Sequence, residues 1–102
     1  MSAYFVFIRE KTLDASELAH YWESVEATMQ GRDIKVLAAY GRQEVVEGPG
    51  VEGMVIFQFP TMDAAKAWYN SPGYREVRQH RFKGAVYRAI LTEGLPPAGS
   101  RS

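Results

Sequence analysis

The sequence predicts a single α+β domain whose elements run in the order βαββαβ. Three observations support this prediction: apolar runs of strand length near both ends of the chain, two helical stretches that each follow a capping residue, and a Gly-Pro-Gly turn between two further apolar runs. At 102 residues the chain has room for one hydrophobic core. Its 46% hydrophobic and 24% charged residues are typical of a packed globular protein.

The first strand and the first helix have clear signals. Residues 4–8 (Tyr-Phe-Val-Phe-Ile) are aromatic or β-branched at both alternating positions, as expected of a central strand covered on both faces. Asp14 is suited to cap the following helix, and Glu17 stands three residues later, as in a capping box. An apolar stripe at helical spacing then predicts a face packed against the sheet: Leu18, Trp22, Val25 and Met29.

A hairpin is predicted in the middle of the chain. Gly31 is suited to the left-handed position that ends the first helix. Lys35 to Val46 is interpreted as one long strand, kinked at Gly41. After the turn at residues 48–50, Gly53 to Phe59 forms the antiparallel partner strand.

The second helix is predicted to be interrupted. Thr61 caps it, and the Ser-Pro-Gly sequence at residues 71–73 breaks it. Tyr74 to Phe82 then continues as one or two further helical turns, and Ala85 to Leu91 is the last strand. Residues 1–94 are therefore predicted to form the domain, and residues 95–102, rich in Pro, Gly and Ser, a flexible tail.

The order βαββαβ is that of the ferredoxin-like fold, in which both helices lie on one face of a four-stranded antiparallel sheet. The other face of the sheet then has no cover within the chain. Every predicted strand has apolar residues at both parities, so the open face presents a larger apolar patch than a monomer normally exposes. A homodimer through the open face is the simplest prediction, because a self-complementary patch closes on itself.

Composition argues against several classes of function. The formal net charge is zero, so we expect no nucleic-acid partner and no membrane-surface partner, and the N-terminal apolar run is too short for a signal peptide or a membrane span. No cysteine is present, which fits a cytoplasmic location and excludes thiolate sites. The two histidines lie far apart without metal-ligand spacing, and no phosphate-binding glycine loop or serine elbow occurs, so no metal and no cofactor is expected.

RNA binding is a third candidate function, because RNA-recognition domains share the βαββαβ order. The third strand retains a glycine and a final aromatic residue, but Glu52 stands where that motif has a cation. Met54 and Ile56 stand where bases would stack. The sequence therefore argues against an RNA-binding function.

Residues 59–74 carry the most specific motif, FPTMDAAKAWYNSPGY, which resembles the signature of domain-of-unknown-function family 1330. Glu-Gly pairs at residues 47–48 and 93–94, together with Arg81, also resemble that family, so the likeness spans residues 4–94. Thr61 stands where serine is common in the family and keeps the capping hydroxyl. The resemblance implies a dimeric α+β barrel of two ferredoxin-like sheets and no established reaction, although the wider group includes cofactor-free monooxygenases, isomerases and haem-degrading enzymes.

The basic segment at residues 74–83 supplies candidate functional groups. Arg78 or Arg81 is suited to hold a carboxylate through two parallel hydrogen bonds; the alternative is an ordinary solvated helix face. His80 is the candidate general acid or base, because imidazole titrates near neutral pH; the alternative is a surface or structural histidine.

Aromatic residues on either side of the helix break are candidates for the mouth of a cleft. Tyr69 and Tyr74 are suited to present hydroxyl groups to a ligand, with Tyr69 as a possible partner of His80 in proton transfer. Trp68 is either a ligand contact or a core residue. Tyr40 and Arg42, which share one parity of the predicted second strand, complete the candidate ligand-binding residues.

Together these patterns predict a protein that binds a small aromatic or carboxylated metabolite in a cleft near the second helix. A cofactor-independent monooxygenase or isomerase is one form of this function, by analogy of fold. A non-catalytic ligand-binding or accessory dimer is the alternative, and the sequence leaves open whether the protein is an enzyme.

Overall fold

A computed structural model gives the fold, and the structure describes residues 1–96. Within that range the predicted order βαββαβ is confirmed, with the second helix divided in two. Of the predicted tail, residues 97–102 lie outside the described range. The elements are β1 (Ala3–Thr12), α1 (Ala15–Val25) followed by a 3-10 turn (Glu26–Met29), β2 (Lys35–Ala39), β3 (Gly53–Phe59), α2 (Met62–Tyr69), α3 (Pro72–Gly84) and β4 (Ala85–Glu93).

The four strands form one antiparallel sheet in the order β2-β3-β1-β4. In β1, Phe5 is opposite Phe57 of β3 and Leu91 of β4, so the first strand is central as predicted. Phe5 and Phe7 point toward the helices and are buried, whereas Val6 and Ile8 point toward the other face and are only partly buried. The sheet is open, and no helix of the described chain covers this second face.

Local capping chemistry begins each helix. The Asp14 side chain accepts hydrogen bonds from the backbone N–H groups of Ser16 and Glu17. Thr61 Oγ1 accepts from the Ala64 N–H at 3.0 Å, and the Ser71 side chain caps α3 just before Pro72. The caps predicted at Asp14 and Thr61 are therefore confirmed, and α3 is longer than predicted at 13 residues.

Aromatic rings fill the space between the sheet and the helices. Trp68 has no exposed surface, and its ring lies edge-on to Phe5 and Phe7 at centroid distances of 5.9 and 6.3 Å. The Trp68 indole N–H donates to Thr28 Oγ1 at 3.1 Å, which satisfies its polar atom inside the core. In the part of the chain that the structure describes, no helix has the length and apolar character needed to cross a bilayer.

The second strand is shorter than predicted. It ends at Ala39 rather than Val46, and residues 40–52 form a loop that includes the turn at Gly48. The cause is Tyr40, which takes a φ of 52°, in the left-handed region that ends an extended strand. The prediction of one strand from Lys35 to Val46 is wrong beyond Ala39, and Arg42 lies in the exposed loop.

Candidate functional site

A buried arginine on α3 is the starting point for a candidate site. Arg81 is only 3% exposed and is the only buried charged residue among residues 1–96. Its guanidinium carbon lies 5.2 Å from the ring centroid of Phe7, 5.0 Å from Phe82 and 5.1 Å from Tyr87. Cation–π attraction to these rings offsets part of the cost of removing the charge from water.

One edge of the Arg81 guanidinium has no hydrogen-bond partner within the described chain, although the Tyr74 hydroxyl lies within hydrogen-bonding reach of the group. Its Nε and Nη2 atoms are buried and have no hydrogen-bond partner there, and no carboxylate in residues 1–96 forms an ion pair with it. Arg9 and Arg78 each have one such atom, and Arg9 Nε lies 3.1 Å from the Glu52 carboxylate. The Nε and Nη2 hydrogens of Arg81 project side by side from one edge of the guanidinium, the arrangement that binds the two oxygens of a carboxylate.

Two pairs of tyrosine hydroxyls surround this guanidinium. The hydroxyl oxygens of Tyr21 and Tyr74 lie 2.8 Å apart, and burial raises the pKa of both groups. The hydroxyls of Tyr40 and Tyr87 are also hydrogen-bonded to each other. Burial and this hydrogen bond raise the pKa of Tyr40, so Tyr21, Tyr74 and Tyr40 are neutral hydrogen-bond donors at neutral pH rather than bases.

The position of Tyr40 depends on two unusual backbone features. Its left-handed conformation costs about 1–2 kcal/mol for a residue with a side chain. The ring lies against Gly53 at the start of β3, where a Cβ atom would be 2.8 Å from Tyr40 Cε1. On the ring, the Arg9 guanidinium lies 4.7 Å from the centroid. Gly53 therefore provides the space in which Tyr40 reaches Tyr87.

An apolar groove opens beside this group of residues. It has a volume of about 420 Å³ and lies between α1 with its 3-10 turn on one side and β2 and β3 on the other. Nine residues line it: Trp22, Val25, Glu26, Met29, Gln30, Val36, Ala39, Val55 and Phe57.

The inner end of the groove lies next to the arginine. Val55 in its floor is opposite Phe7 of β1, and the Arg81 guanidinium lies over the Phe7 ring. Trp22 also lines the groove, and its ring lies edge-on to Tyr40 at 5.1 Å and to Tyr21 at 4.8 Å. The groove and the arginine thus share one face of the sheet, about one strand spacing apart.

A second cavity, of about 460 Å³, lies at the end of the sheet where the chain begins. Met1, Asp33, Lys35 and Gln58 are among the residues that line it. Gln58 Nε2 already donates to Ser2 Oγ at 3.1 Å, and none of the lining residues has a buried polar atom without a partner. This cavity has weaker features of a binding site than the groove.

The structure brings together three of the residues predicted from sequence to form a site. Tyr74 and Arg81 are neighbours in the core, and Tyr40 joins them through Tyr87. Trp68, by contrast, is enclosed in the core. None of the predicted residues lines the groove itself.

Tyr69 and Arg78 form a separate pair. Arg78 Nη1 donates to the Tyr69 carbonyl oxygen at 2.9 Å, and the guanidinium lies 4.4 Å from the Tyr69 ring centroid. The Tyr69 ring also stacks on the Phe5 ring, with their centroids 5.2 Å apart. These contacts fix the turn between α2 and α3.

His80 lies on the contact between α1 and α3. Its Nδ1 is 2.6 Å from Glu17 Oε2, and its ring stacks on His20 with centroids 5.4 Å apart. His80 and Tyr69 therefore have different neighbours, and their joint role in proton transfer stays a prediction, as does ligand binding by Arg42. Within residues 1–96 no group of three His, Asp or Glu side chains is arranged to hold a metal ion.

Sequence reasoning missed three members of the site, namely Trp22, Tyr21 and Tyr87. Trp22 belongs to the apolar stripe of α1, so its sequence signal is that of a core residue. Tyr87 lies on β4, where alternation with the exposed Arg88 indicates a helix-facing position but not a partner. A polar aromatic residue on the inner parity of a strand is the only signal that was available.

Comparison with known proteins identifies the family. The chain belongs to the family described as domain of unknown function (DUF1330), whose model matches residues 2–95, as the motif predicted. No curated protein matches the sequence.

Solved structures show the same fold at low sequence identity. RPA0582, a protein of unknown function from Rhodopseudomonas palustris, is 19% identical with a TM-score of 0.74, covering 94% of this chain and 84% of its own. A dimeric protein of unknown function with a ferredoxin-like fold from Bacteroides fragilis is 12% identical with a TM-score of 0.63, covering 91% and 96%. SnoaB, a cofactor-independent oxygenase from Streptomyces nogalater, is 10% identical with a TM-score of 0.60, covering 95% and 96%. The predicted ferredoxin-like fold is thus confirmed.

Proposed function

We propose that this DUF1330 protein is a homodimer that binds a small molecule with an aromatic or apolar body in the groove between α1 and the β2–β3 hairpin. The groove is the main evidence for ligand binding. Its volume of about 420 Å³ is in the range of small-molecule sites, and most of its lining is apolar. Trp22 and Phe57 supply flat surfaces for packing against a ring.

Displacement of a neutral fluorescent probe tests the groove. Phenylnaphthylamine has two aromatic groups and no charge, and its emission rises when it leaves water. We expect Ala39→Trp and Met29→Trp, which place an indole in the groove, to weaken its binding by about tenfold or more. Ala27→Trp, on the exposed 3-10 turn outside the groove, is the matched control. Equal binding of the probe by all these variants would show that it binds elsewhere and would refute the groove as the binding site.

The homodimer is proposed through the open sheet face. Val6 and Ile56 lie at the centre of this face, and Ile90 beside them is 42% exposed. The structure from Bacteroides fragilis with this fold is described as dimeric, which supports the same assembly here. Burial of these side chains against a second copy removes apolar surface from water.

Sedimentation of a charge variant tests the dimer. The wild-type protein should sediment with twice the 11.5 kDa mass of the chain. Ile56→Glu should sediment as a single chain, because the seam would bury an unpaired carboxylate. Val46→Glu, in a loop where the side chain is 86% exposed, should remain a dimer. A wild-type protein that sediments as one chain at micromolar concentration would refute the assembly.

A cofactor-independent enzyme is the second candidate, and the buried tyrosine pair favours it. Hydroxyl groups that stay protonated, such as those of Tyr21 and Tyr74, are suited to donate to an oxygen that gains negative charge during a reaction. The fold is shared with SnoaB, an oxygenase that works without a cofactor, which is support from fold alone. A ligand that co-purifies and is consumed on incubation would favour catalysis, whereas a ligand recovered unchanged would favour binding.

A further inference from the structure

We propose that the ligand of the groove is an organic anion of the carboxylate type, and that Nε and Nη2 of Arg81 bind two of its oxygens. This inference rests on the proposed groove and adds the chemical class of the ligand and the residue that selects it. It follows from three features of the described residues: an unpaired buried charge, the geometry of its free edge, and its position at the inner end of the groove.

The first feature is the charge. An arginine stays protonated even when buried, so Arg81 places a full positive charge where it is 3% exposed. Buried charges in proteins are normally paired with an opposite charge. Arg81 has aromatic rings around it and no carboxylate partner in residues 1–96. A bound anion would supply the missing charge.

The second feature is the free edge of the guanidinium. The unpaired atoms are Nε and Nη2, which share one edge and donate in parallel. Two oxygens of one carboxylate fit this edge, whereas a hydroxyl or a carbonyl group satisfies only one of the two donors. The tyrosine hydroxyls nearby are hydrogen-bonded in the pairs Tyr21–Tyr74 and Tyr40–Tyr87, and neither pair supplies a partner to Nε or Nη2. The edge therefore selects a group with two acceptor oxygens.

The third feature is the route from the groove. Trp22 lines the groove and is only partly buried, and its ring lies edge-on to Tyr21 and Tyr40, two tyrosines that interact electrostatically with Arg81. Rotation of the Trp22 side chain would join the groove to the space beside Phe7, over which Arg81 lies. An aromatic body in the groove would then direct its anionic group inward, while its apolar surface rests on Val55 and Phe57.

Two probes with the same ring system separate the charge from the groove. Anilinonaphthalene sulfonate carries an anionic group with the required oxygens, and phenylnaphthylamine has the same skeleton without it. Arg81→Met should weaken binding of the sulfonate by about 10- to 100-fold and leave the affinity for the neutral probe within about twofold of the wild-type value. Arg81→Lys should lose most of the same preference, because a lysine retains the charge but not the parallel donors.

The control variant removes the same charge from the same helix. Arg75→Met changes an exposed position of α3 and should leave the affinities of both probes unchanged. Far-ultraviolet circular dichroism and urea unfolding establish that each variant folds. A sulfonate that does not bind the wild-type protein, or equal losses in Arg81→Met and Arg75→Met, would overturn the proposal.

A different pattern of binding losses is expected if the groove is not the binding site. If Ala39→Trp weakens neither probe while Arg81→Met still weakens only the sulfonate, the anion site stands and the groove is wrong. If Ala39→Trp weakens both probes while Arg81→Met weakens neither or both equally, the groove stands and Arg81 does not select the ligand.

Discussion

Replacing Arg81 by methionine should leave the stability of the ligand-free protein nearly unchanged. Most substitutions of buried residues destabilise, but Arg81 has a buried charge and two buried donors without partners in the described chain. Methionine has a similar length, contains no polar hydrogen, and adapts to an irregular apolar space. A buried charged residue that adds little to the stability of the free protein is expected where the residue serves a ligand rather than the fold.

The magnitude follows from two opposing terms. Each unsatisfied buried donor costs about 1–3 kcal/mol, so removing two donors gains about 2–6 kcal/mol. The three cation–π contacts, to Phe7, Phe82 and Tyr87, are lost at about 1–2 kcal/mol each, because the buried guanidinium is desolvated. The two terms nearly cancel, so we expect the free energy of unfolding to change by no more than about 2 kcal/mol, whereas removing one member of a satisfied buried ion pair costs about 3–5 kcal/mol. Each kcal/mol shifts the midpoint of thermal unfolding by about 4–8 °C.

Urea unfolding at neutral pH, at equal protein concentration and without ligand, measures this difference. Arg75→Met is the control and should stay within about 0.5 kcal/mol of the wild type. If Arg81→Met destabilises by more than about 2 kcal/mol, Arg81 makes satisfied interactions in the free protein, and the argument for an unpaired cation fails.

Two further predictions concern the elements that hold the site and begin the first helix. Gly53→Ala should destabilise the protein by about 1–3 kcal/mol in urea unfolding, because the added Cβ would overlap the Tyr40 ring. Gly50→Ala, whose Cβ would have nothing within 4 Å, is the control and should have little effect. Equal effects would show that the position of the Tyr40 ring does not depend on Gly53. The hydrogen bond from Ser16 holds the pKa of Asp14 below its ordinary value of about 3.8. The charged cap therefore stabilises the fold above that pH, and the effect is lost as pH falls through the lower pKa of the folded state. The stability difference between the wild type and Asp14→Asn should therefore be present at neutral pH and vanish in acid, and a difference that does not change with pH would contradict this.

Local sequence determined much of the fold in a predictable way. Capping by Asp14 and Thr61 and the helix break at residues 71–73 depend on neighbours a few residues away, so their sequence signals are specific. The end of β2 was missed for the opposite reason. Tyr40 adopts its left-handed conformation beside Gly53 and Arg9, contacts that no local pattern reports.

The candidate site was predictable only in part. Residue type makes Arg81 an anion-binding candidate, but the polar sequence of α3 favours a solvated face. The structure buries Arg81 and leaves the adjacent Phe82 48% exposed, the reverse of what hydropathy predicts. His80 and Glu17 are 63 positions apart, so their pairing depends on how α1 packs on α3. Tertiary packing decides both cases.

A crystal structure of the protein grown with anilinonaphthalene sulfonate tests the central claim most directly. We expect the naphthalene ring to lie in the groove between Trp22 and Val55, with two sulfonate oxygens about 2.7–3.2 Å from Nε and Nη2 of Arg81. A probe bound on the open sheet face, or one whose sulfonate points into solvent while Arg81 keeps its present surroundings, would contradict it.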